Sequence, residues 1–334
     1  MKKRLFIGLA ALPLLFALLL AGFRWHAAVR ESEPAAKIAP AGGRYVMAGD
    51  VHVFVQEAGP AEGMAVLFIH GTGAWSEAWR GAMTEVAKSG ARAIALDLPP
   101  FGFSQRPDAP RYGKQDQGRR IVGVLDALKI RQAILVGHSF GGGPTMEAVL
   151  LAPERVRAVV LVDAALSIGA DDGRRPEAPM LLRGFVAAQP LRDSVVATFL
   201  TNPMFTRKLL QGFIDNPAHA TDDWVRLYQQ PLAVTNTTAA VGAWLPALLT
   251  PTEVAASERP SAYRDLKIPL FIIWGERDTI TPLDQGRRLA QLAPRAELGV
   301  MKNVGHIPQI EDSAAFNQLL LTFLAKASSA ASTP

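Results

Sequence analysis

The sequence predicts an α/β fold in which helices cover both faces of a mostly parallel sheet. Short runs at residues 65–69, 133–136 and 156–162, apolar except for Arg157, are typical of strands that are buried on both faces. Stretches with helical spacing separate these runs, and such alternation favours parallel strands. One stretch, residues 166–262, has helical patches but no strand of this kind, which predicts a helical lid inserted between two core strands.

The elements can be assigned in order along the chain. Residues 45–48 and 51–57 flank Gly49 and Asp50, a pair typical of a hairpin turn, and the second run alternates apolar and polar side chains. The remaining pattern predicts a strand at 65–69, a helix at 75–88, a strand at 91–96, a helix around 121–128, a strand at 133–136, a helix at 141–151, and strands at 156–162, 269–274 and 297–301.

The first residues resemble a targeting segment. Three basic residues, 2–4, precede an uninterrupted apolar run of 19 residues, 5–23. A helix of that length spans about 28 Å, close to the roughly 30 Å hydrocarbon core of a bilayer. No clear small-residue cleavage site follows the run. We therefore expect residues 1–23 to be an uncleaved membrane anchor, with a cleaved signal segment as the alternative.

This interpretation predicts the segments of the chain and the cellular compartment of the protein. The basic end should stay in the cytoplasm, so that the body of the protein is exported, either anchored to the membrane or periplasmic or secreted. We expect an anchor or signal at residues 1–23, a linker at 24–43 and an α/β-hydrolase-type domain at 44–334, with its lid at about 166–262.

The composition excludes several classes of function. The chain has 334 residues and no cysteine, which excludes disulfides, thiolate nucleophiles and zinc–thiolate sites. Its net charge of +5 falls to +2 without the three bases at residues 2–4, since 32 basic residues then face 30 acidic ones. The remaining bases are scattered, whereas a nucleic-acid-binding surface needs clustered Lys and Arg. We expect no nucleic-acid partner.

The segment 137–141 predicts a catalytic serine. It reads Gly-His-Ser-Phe-Gly and lies between a buried strand and a helix. A serine at such a sharp strand-to-helix turn has a strained backbone, and its close neighbours must lack side chains. The turn places Ser139 at the N-terminus of the helix, where free N–H groups stabilise a developing negative charge.

A histidine and an acid complete the pattern. Of six histidines, only His306 follows the last core strand, at the carboxyl edge of the sheet where a base can reach Ser139. Asp278 ends the segment after the penultimate strand and would orient the imidazole. Asp163, at the end of an earlier strand, is an alternative acid, and Glu276 is a further rival.

An oxyanion hole is expected beside this serine. Residues 70–73, His-Gly-Thr-Gly, close a buried strand with a glycine-rich turn. The backbone N–H of Phe140, directly after the nucleophile, should be one donor, and that of Thr72 the second.

These segments together resemble the α/β-hydrolase superfamily, in particular its cap-bearing, esterase- or lipase-like group. The resemblance implies the α/β-hydrolase fold and a cap domain over the sheet. Serine at the nucleophile position argues against the dehalogenase and epoxide-hydrolase branches, which carry aspartate there. The matching segments occur in the expected order between about residues 45 and 325: 70–73, 97–104, 137–142, 275–278 and 305–306.

The expected function is hydrolysis of a small, hydrophobic carboxylic ester through an acyl-enzyme, with no metal or organic cofactor. The same triad serves thioester, lactone and carbon–carbon hydrolysis, and fold does not decide between them. A binding protein that keeps the scaffold with little turnover is the alternative from another class. A dinucleotide site at Gly71 and Gly73 is disfavoured because Ser76 occupies the third glycine position.

Overall fold

The computed structural model describes residues 2–107, 109–170 and 175–329, with side chains described from residue 15 to residue 328 of these ranges. Met1, Asp108 and the ranges 171–174 and 330–334, which fall in the predicted anchor, domain and lid, lie outside the described residues. The strands are β1 (Gly43–Ala48), β2 (Val51–Ala58), β3 (Ala65–Ile69), β4 (Arg92–Leu96), β5 (Ala133–His138), β6 (Val156–Val162), β7 (Leu270–Gly275) and β8 (Ala296–Met301).

Helices connect and flank these strands. They are α1 (Lys2–Arg30), α2 (Ala35–Ile38), α3 (Arg80–Lys88), α4 (Lys114–Ala127), α5 (Gly142–Leu151), α6 (Met180–Ala187), α7 (Gln189–Val195), α8 (Thr206–Phe213), α9 (Asp222–Gln229), α10 (Thr237–Leu249), α11 (Ser261–Arg264), α12 (Leu283–Leu292), α13 (Pro308–Glu311) and α14 (Ser313–Ser329). Short 3-10 turns, among them Ser139–Gly141, join several of them.

The eight strands form one sheet in the order β1-β2-β4-β3-β5-β6-β7-β8. β2 pairs antiparallel with both β1 and β4, and the other neighbours pair in parallel. Parallel strands place their carboxyl ends at one edge of the sheet, so the loops after β3, β5, β6, β7 and β8 meet there. The predicted α/β-hydrolase fold class is confirmed.

Two apolar layers fix the helices to the sheet. Within β3, Leu67 and Ile69 belong to the core on one face, with α4, α5 and α12, whereas Val66 and Phe68 belong to the core on the other face, with α3 and α14. This alternation follows from the twofold period of a strand, and burial on both faces explains why the run has no polar residue.

The segment at residues 166–262, between β6 and β7, contains helices α6 to α10, the start of α11 and no strand among its described residues. We call this segment the insertion. It contacts the sheet domain through Trp244 of α10, whose ring packs edge-on against Phe101 and Phe140 with centroid distances of 5.1 and 5.4 Å. These contacts seat the insertion over the carboxyl edge of the sheet.

The N-terminus differs from the predicted anchor. Helix α1 does not end with the apolar run at Phe23 but continues to Arg30, and its last turns pack against α7 and residues 196–200 of the insertion. Ala27 is fully buried there, and Arg30 Nε donates to the carbonyl of Leu232 at 3.0 Å. Tertiary contacts therefore hold the end of this helix on the protein.

In the part of the chain that the structure describes, no helix is both long enough and apolar enough to cross a membrane. The predictions of a transmembrane anchor at residues 1–23 and of membrane association are therefore wrong, and the export predicted from the same segment, as an anchor or as a cleaved signal, is corrected with them. Residues 24–43, expected to be a linker, contain the end of α1, helix α2 and a bridge from Glu33 to Val234 of the insertion.

Candidate active site

Ser139 lies at the sharp turn between β5 and α5. Its φ is +50°, a strained conformation for a residue with a side chain. The turn needs glycine at position 141, because a Cβ there would lie 2.6 Å from the carbonyl oxygen of His70. Gly71 is equally constrained, since a Cβ there would lie 3.0 Å from the Cβ of Ser139. The turns after β3 and β5 are thus in direct contact.

Ser139, His306 and Asp278 form one hydrogen-bonded chain. The distance from Ser139 Oγ to His306 Nε2 is 2.7 Å, and that from His306 Nδ1 to Asp278 Oδ2 is 2.8 Å. All three residues are buried, with at most 6% of any of them exposed. The structure therefore brings together the three residues that the sequence predicted as a triad, in a geometry suited to proton transfer between serine and imidazole.

Hydrogen-bond donors surround the carboxylate of Asp278. Its Oδ1 accepts from the backbone N–H groups of Ile280 and Thr281 at 2.7 and 2.9 Å, and its Oδ2 accepts from Thr281 Oγ1 at 2.6 Å. Burial opposes ionisation of this carboxyl, but the hydrogen bonds from His306 and Thr281 outweigh it and hold its pKa below the ordinary value. Asp278 is therefore an anion under the imidazole.

The two rival acids are placed differently. Asp163, at the end of β6, is fully buried, and its Oδ1 accepts from the N–H of Gly275 at 2.8 Å. Burial first, and the charge of Asp278 second, raise the pKa of Asp163 well above its ordinary value. Glu276 instead accepts from the N–H of Asn303 at 3.2 Å on the protein surface. Neither makes the hydrogen bond to His306 Nδ1.

The predicted oxyanion donors lie on the two touching turns. Phe140 follows Ser139 in the 3-10 turn that leads into α5, and Thr72 lines the cavity in front of Ser139. The ring of Phe140 is held by Phe101 and Trp244, at centroid distances of 5.9 and 5.4 Å. The backbone at Phe140 is consequently fixed by packing on both sides.

Two buried histidines support these turns, and the sequence pattern did not indicate this role. His70 Nδ1–H donates to the carbonyl of Gly71 at 2.8 Å, and its Nε2 accepts from the N–H of Leu98 at 2.9 Å. His138 Nε2–H donates to the carbonyl of His306 at 2.7 Å. Burial lowers the pKa of His70 to about 4 and that of His138 to about 3, so both are neutral.

A cavity of about 160 Å³ opens in front of Ser139. The insertion supplies most of its apolar wall, including Leu200, Leu210, Phe213 and Val241. The sequence pattern identified apolar residues in this segment, but their periodicity could not show which of them face the cavity rather than the insertion's own core.

Arg106 is the only permanently charged residue among the described residues that line this cavity. It lies in the loop after β4 and donates to the carbonyls of Ser104 and Gly102 at 2.5 and 2.9 Å, and to Thr237 Oγ1 at 3.1 Å. Its Nε has no hydrogen-bond partner, and no carboxylate of the described residues forms an ion pair with it. Burial lowers its pKa to about 10, so it remains a cation at neutral pH.

Comparison with known proteins identifies the family. The family model for the α/β-hydrolase fold matches residues 64–313. A 2-hydroxymuconate semialdehyde hydrolase of Pseudomonas sp. (strain CF600) is 33% identical over 295 residues, which cover 86% of this chain and 96% of the relative. A 2-hydroxy-6-oxo-2,4-heptadienoate hydrolase of Pseudomonas putida is 29% identical over 294 residues, covering 85% of this chain and 96% of the relative.

A solved structure gives the same result. The meta-cleavage product hydrolase from Pseudomonas fluorescens IP01 superimposes with a TM-score of 0.69 at 28% identity, covering 85% of this chain and 98% of that chain. This protein therefore belongs to the α/β-hydrolase family and is a hydrolase of that fold. Five sequence motifs predicted membership of the α/β-hydrolase superfamily, and this prediction is confirmed. None of these three relatives is named as a carboxylesterase.

Proposed function

We propose that this enzyme hydrolyses a carbon–carbon bond in a 2-hydroxy-6-oxo-dienoate. The observation that carries the proposal is the unbroken, buried hydrogen-bond chain from Ser139 through His306 to Asp278 at the floor of the cavity. The similarity to hydrolases named for such compounds supports this bond over an ester. A dienoate of this kind contains no ester, so its hydrolysis has to break the bond between the ketone carbon and its neighbour.

In this proposal Ser139 attacks the ketone carbon while His306 takes the hydroxyl proton. The N–H groups of Thr72 and Phe140 then stabilise the oxyanion of the tetrahedral intermediate, a contribution of about 10²- to 10³-fold in rate for one such donor. Asp278 holds the imidazole in the required tautomer and stabilises its cation.

The carbon–carbon bond breaks from the keto form of the substrate, in which the dienol proton has moved to the carbon next to the ketone. The electron pair of the broken carbon–carbon bond passes into the conjugated 2-oxo group. The proton on His306 then neutralises the resulting dienolate. Water activated by His306 then hydrolyses the acyl ester on Ser139 and releases a carboxylic acid. One water is consumed, and no oxidant or reductant is needed.

Arg106 supports a substrate that carries a carboxylate. A half-buried cation that forms no ion pair with a carboxylate of the described residues is costly, and an anionic group in the cavity would offset that cost. We propose that the guanidinium binds the carboxylate of the dienoate, and that the insertion, residues 166–262, acts as a lid whose apolar wall accepts the acyl end. The catalytic domain in this proposal is residues 44–334.

Hydrolysis of a hydrophobic carboxylic ester is the second candidate. The observation that favours it is the mostly apolar lining of the cavity, in which Arg106 is the single fixed charge among the described residues. The same triad and oxyanion donors would serve an ester, with an alkoxide as the leaving group.

The test compares both substrate classes on the wild type and on Ser139→Ala. Cleavage of 2-hydroxy-6-oxo-6-phenylhexa-2,4-dienoate shortens the conjugated system, which can be followed as a loss of absorbance. Nitrophenyl esters of increasing chain length report on ester hydrolysis. We expect kcat/KM for the dienoate to exceed that for every ester by at least about 100-fold, and Ser139→Ala to reduce it by at least about 10³-fold.

Ester turnover without dienoate turnover would contradict the proposal and establish the second candidate. If neither substrate reacts, labelling with a serine-directed phosphonate decides between an untested substrate and the alternative of a catalytically weak binding protein, because an inactive triad does not label.

A further inference from the structure

A second carboxyl group lies beside the triad. Asp163 ends β6 and Asp278 follows β7, and one carboxylate oxygen from each lies within 4.8 Å of the other and of a ring nitrogen of His306. Both residues are buried, with 0% and 5% of their surface exposed. The triad uses one carboxylate, so the second requires its own explanation.

The two carboxyl groups have very different numbers of hydrogen-bond donors. Asp278 accepts from two backbone N–H groups, a hydroxyl and the imidazole of His306. Asp163 accepts one hydrogen bond, from Gly275 N–H to its Oδ1. Its Oδ2 is buried and has no hydrogen-bond partner among the described residues.

An ionised Asp163 does not fit these surroundings. It would be a fully buried anion that accepts a single hydrogen bond. It would also lie next to the carboxylate of Asp278, which already pairs with the imidazolium of His306, the only cation formed during catalysis. A protonated Asp163 carries no charge, and its Oδ2–H supplies a donor where the structure otherwise leaves an unpaired oxygen. Burial and the nearby charge of Asp278 both raise the pKa of Asp163, in agreement with this geometry.

The backbone of Asp163 is held in place from β7. Its φ is +42°, a left-handed conformation that Asp and Asn adopt more readily than most residues. Its N–H donates to the carbonyl of Ile273 at 3.0 Å, and its own carbonyl accepts from Thr281 Oγ1 at 3.1 Å. Thr281 also donates to Asp278, so Asp163 is attached to both ends of the loop that carries the triad acid.

We infer that Asp163 is a positioning residue: a neutral carboxylic acid that fixes Gly275 through Oδ1 and directs Oδ2–H toward the carboxylate of Asp278. It orients the acid of the triad without exchanging protons with His306. This inference rests on the proposed catalytic roles of Ser139, His306 and Asp278, but not on which bond the enzyme cleaves.

The titratable groups around Asp163 are few. Asp278 and His306 lie in the loops after β7 and β8, and Glu311 belongs to α13, directly after the histidine loop. Glu311 is itself held by the N–H groups of Gly305 and Ile307 at 3.0 and 3.1 Å. A change in the charge of Asp163 would thus mainly affect the ionisation of Asp278 and His306.

The experiment measures how fast a serine-directed phosphonate labels Ser139 across pH, since this rate depends on the triad and not on the natural substrate. Asp163→Asn keeps an acceptor for Gly275, a donor for Asp278 and tolerance of positive φ. We expect its labelling rate to stay within about threefold of wild type, with the acid limb of the pH profile unmoved.

Asp163→Gly accepts the positive φ but removes the carboxyl group, and we expect labelling to slow by about 10- to 100-fold. Ser167→Gly is its matched control, because Ser167 also has a positive φ, +58°, yet its side chain is exposed. Asp278→Asn should slow labelling by at least about 10³-fold, because Asp163 does not replace it.

Three results would overturn the inference. A shift of the acid limb to lower pH by about one unit in Asp163→Asn would mean that an anion had been removed, since an ionised Asp163 favours the imidazolium. Wild-type labelling by a folded Asp163→Gly would exclude a positioning role. Rapid labelling of Asp278→Asn with loss in Asp163→Asn would make Asp163 the triad acid. If Asp163→Gly does not fold, the pH profile of Asp163→Asn still decides.

Failure of the proposed carbon–carbon hydrolysis is distinguishable from failure of this inference. The former changes which substrate turns over, whereas the latter changes the order of labelling rates among the Asp163 and Asp278 variants.

Discussion

Replacing Arg106 by methionine removes the one fixed charge from the described cavity wall and keeps a side chain of similar length. A hydrogen bond to a charged group contributes about 1.5–3 kcal/mol, which corresponds to roughly 10- to 150-fold in binding. We therefore expect KM for a 2-hydroxy-6-oxo-dienoate to rise by about 10- to 150-fold, with a smaller change in kcat. A neutral nitrophenyl ester lacks the carboxylate, so its kcat/KM should change by less than about threefold.

The substitution also affects stability, and the structure sets the size of this effect. The three shortest hydrogen bonds that Arg106 donates go to Ser104, Gly102 and Thr237. At about 0.5–1.5 kcal/mol each their loss costs roughly 2–4 kcal/mol, part of which is offset because the substitution removes a half-buried cation that pairs with no carboxylate of the described residues. A melting curve should still show a folded protein.

The assay measures KM and kcat for both substrates on wild type, Arg106→Met and Arg111→Met. Arg111 lies in the same loop, but its side chain is 61% exposed and does not line the cavity. It should behave as wild type with both substrates. If Arg106→Met changes KM for the dienoate and the ester by the same factor, or changes neither, Arg106 does not bind a carboxylate and the substrate argument is wrong.

The remaining predictions concern stability. Because burial lowers the pKa values of His70 and His138 from 6.5 to about 4 and about 3, the unfolded chain binds protons that the native protein does not. The free energy of unfolding should therefore fall as pH decreases from about 6.5 to 4, by up to roughly 1.4 kcal/mol per pH unit for each histidine. Urea denaturation at pH 7 and 5 measures this slope, which His70→Asn should reduce and the exposed His52→Gln should leave unchanged. Glu31 is buried and accepts hydrogen bonds from the N–H and Oγ1 of Thr238, so Glu31→Ala should cost about 1.5–3 kcal/mol by the same method. Equal stability of Glu31→Ala and wild type would contradict this role.

Local sequence patterns predicted the sheet well, and the reason is physical. A strand buried on both faces is largely apolar, so the run at residues 65–69 matches β3 residue for residue. Ser139 was identifiable because its strained turn demands glycine on either side, and His306 because chain order puts it at the carboxyl edge. These features depend on neighbours in sequence or on topology alone.

The sequence favoured Asp278 over Asp163 as the triad acid, but local patterns could not exclude Asp163. Both follow parallel strands at the same edge of the sheet, and only the path of each loop decides which carboxylate reaches His306 Nδ1. The proposed role of Arg106 could not be predicted from the sequence either. A lone arginine in a loop has no periodicity, and its hydrogen-bond partner, Thr237, is 131 residues away in the sequence.

The prediction for the N-terminal segment was wrong for a related reason, because it also depended on contacts that the local sequence does not show. A run that is apolar on all sides predicts a helix that is buried or spans a membrane, but it does not show which tertiary contacts the residues after it make. Here Glu31, placed directly after α1, is buried against the start of α10, and Arg30 hydrogen-bonds to Leu232. The apolar run alone contains no sign of these contacts, which lie more than 200 residues further along the chain.

The origin of the cavity wall has a consequence for substrate choice. The predicted triad, the predicted oxyanion donors and Arg106 all belong to the sheet domain, whereas the apolar wall comes mainly from the insertion. The reacting ketone and the carboxylate would therefore be bound by elements whose relative positions the sheet fixes. The acyl group beyond the ketone would instead contact helices of the insertion, which lies outside the sheet. If the dienoate proposal holds, exchanging the side chains of Leu200 or Phe213 should change which acyl group is preferred without changing the dependence on Arg106.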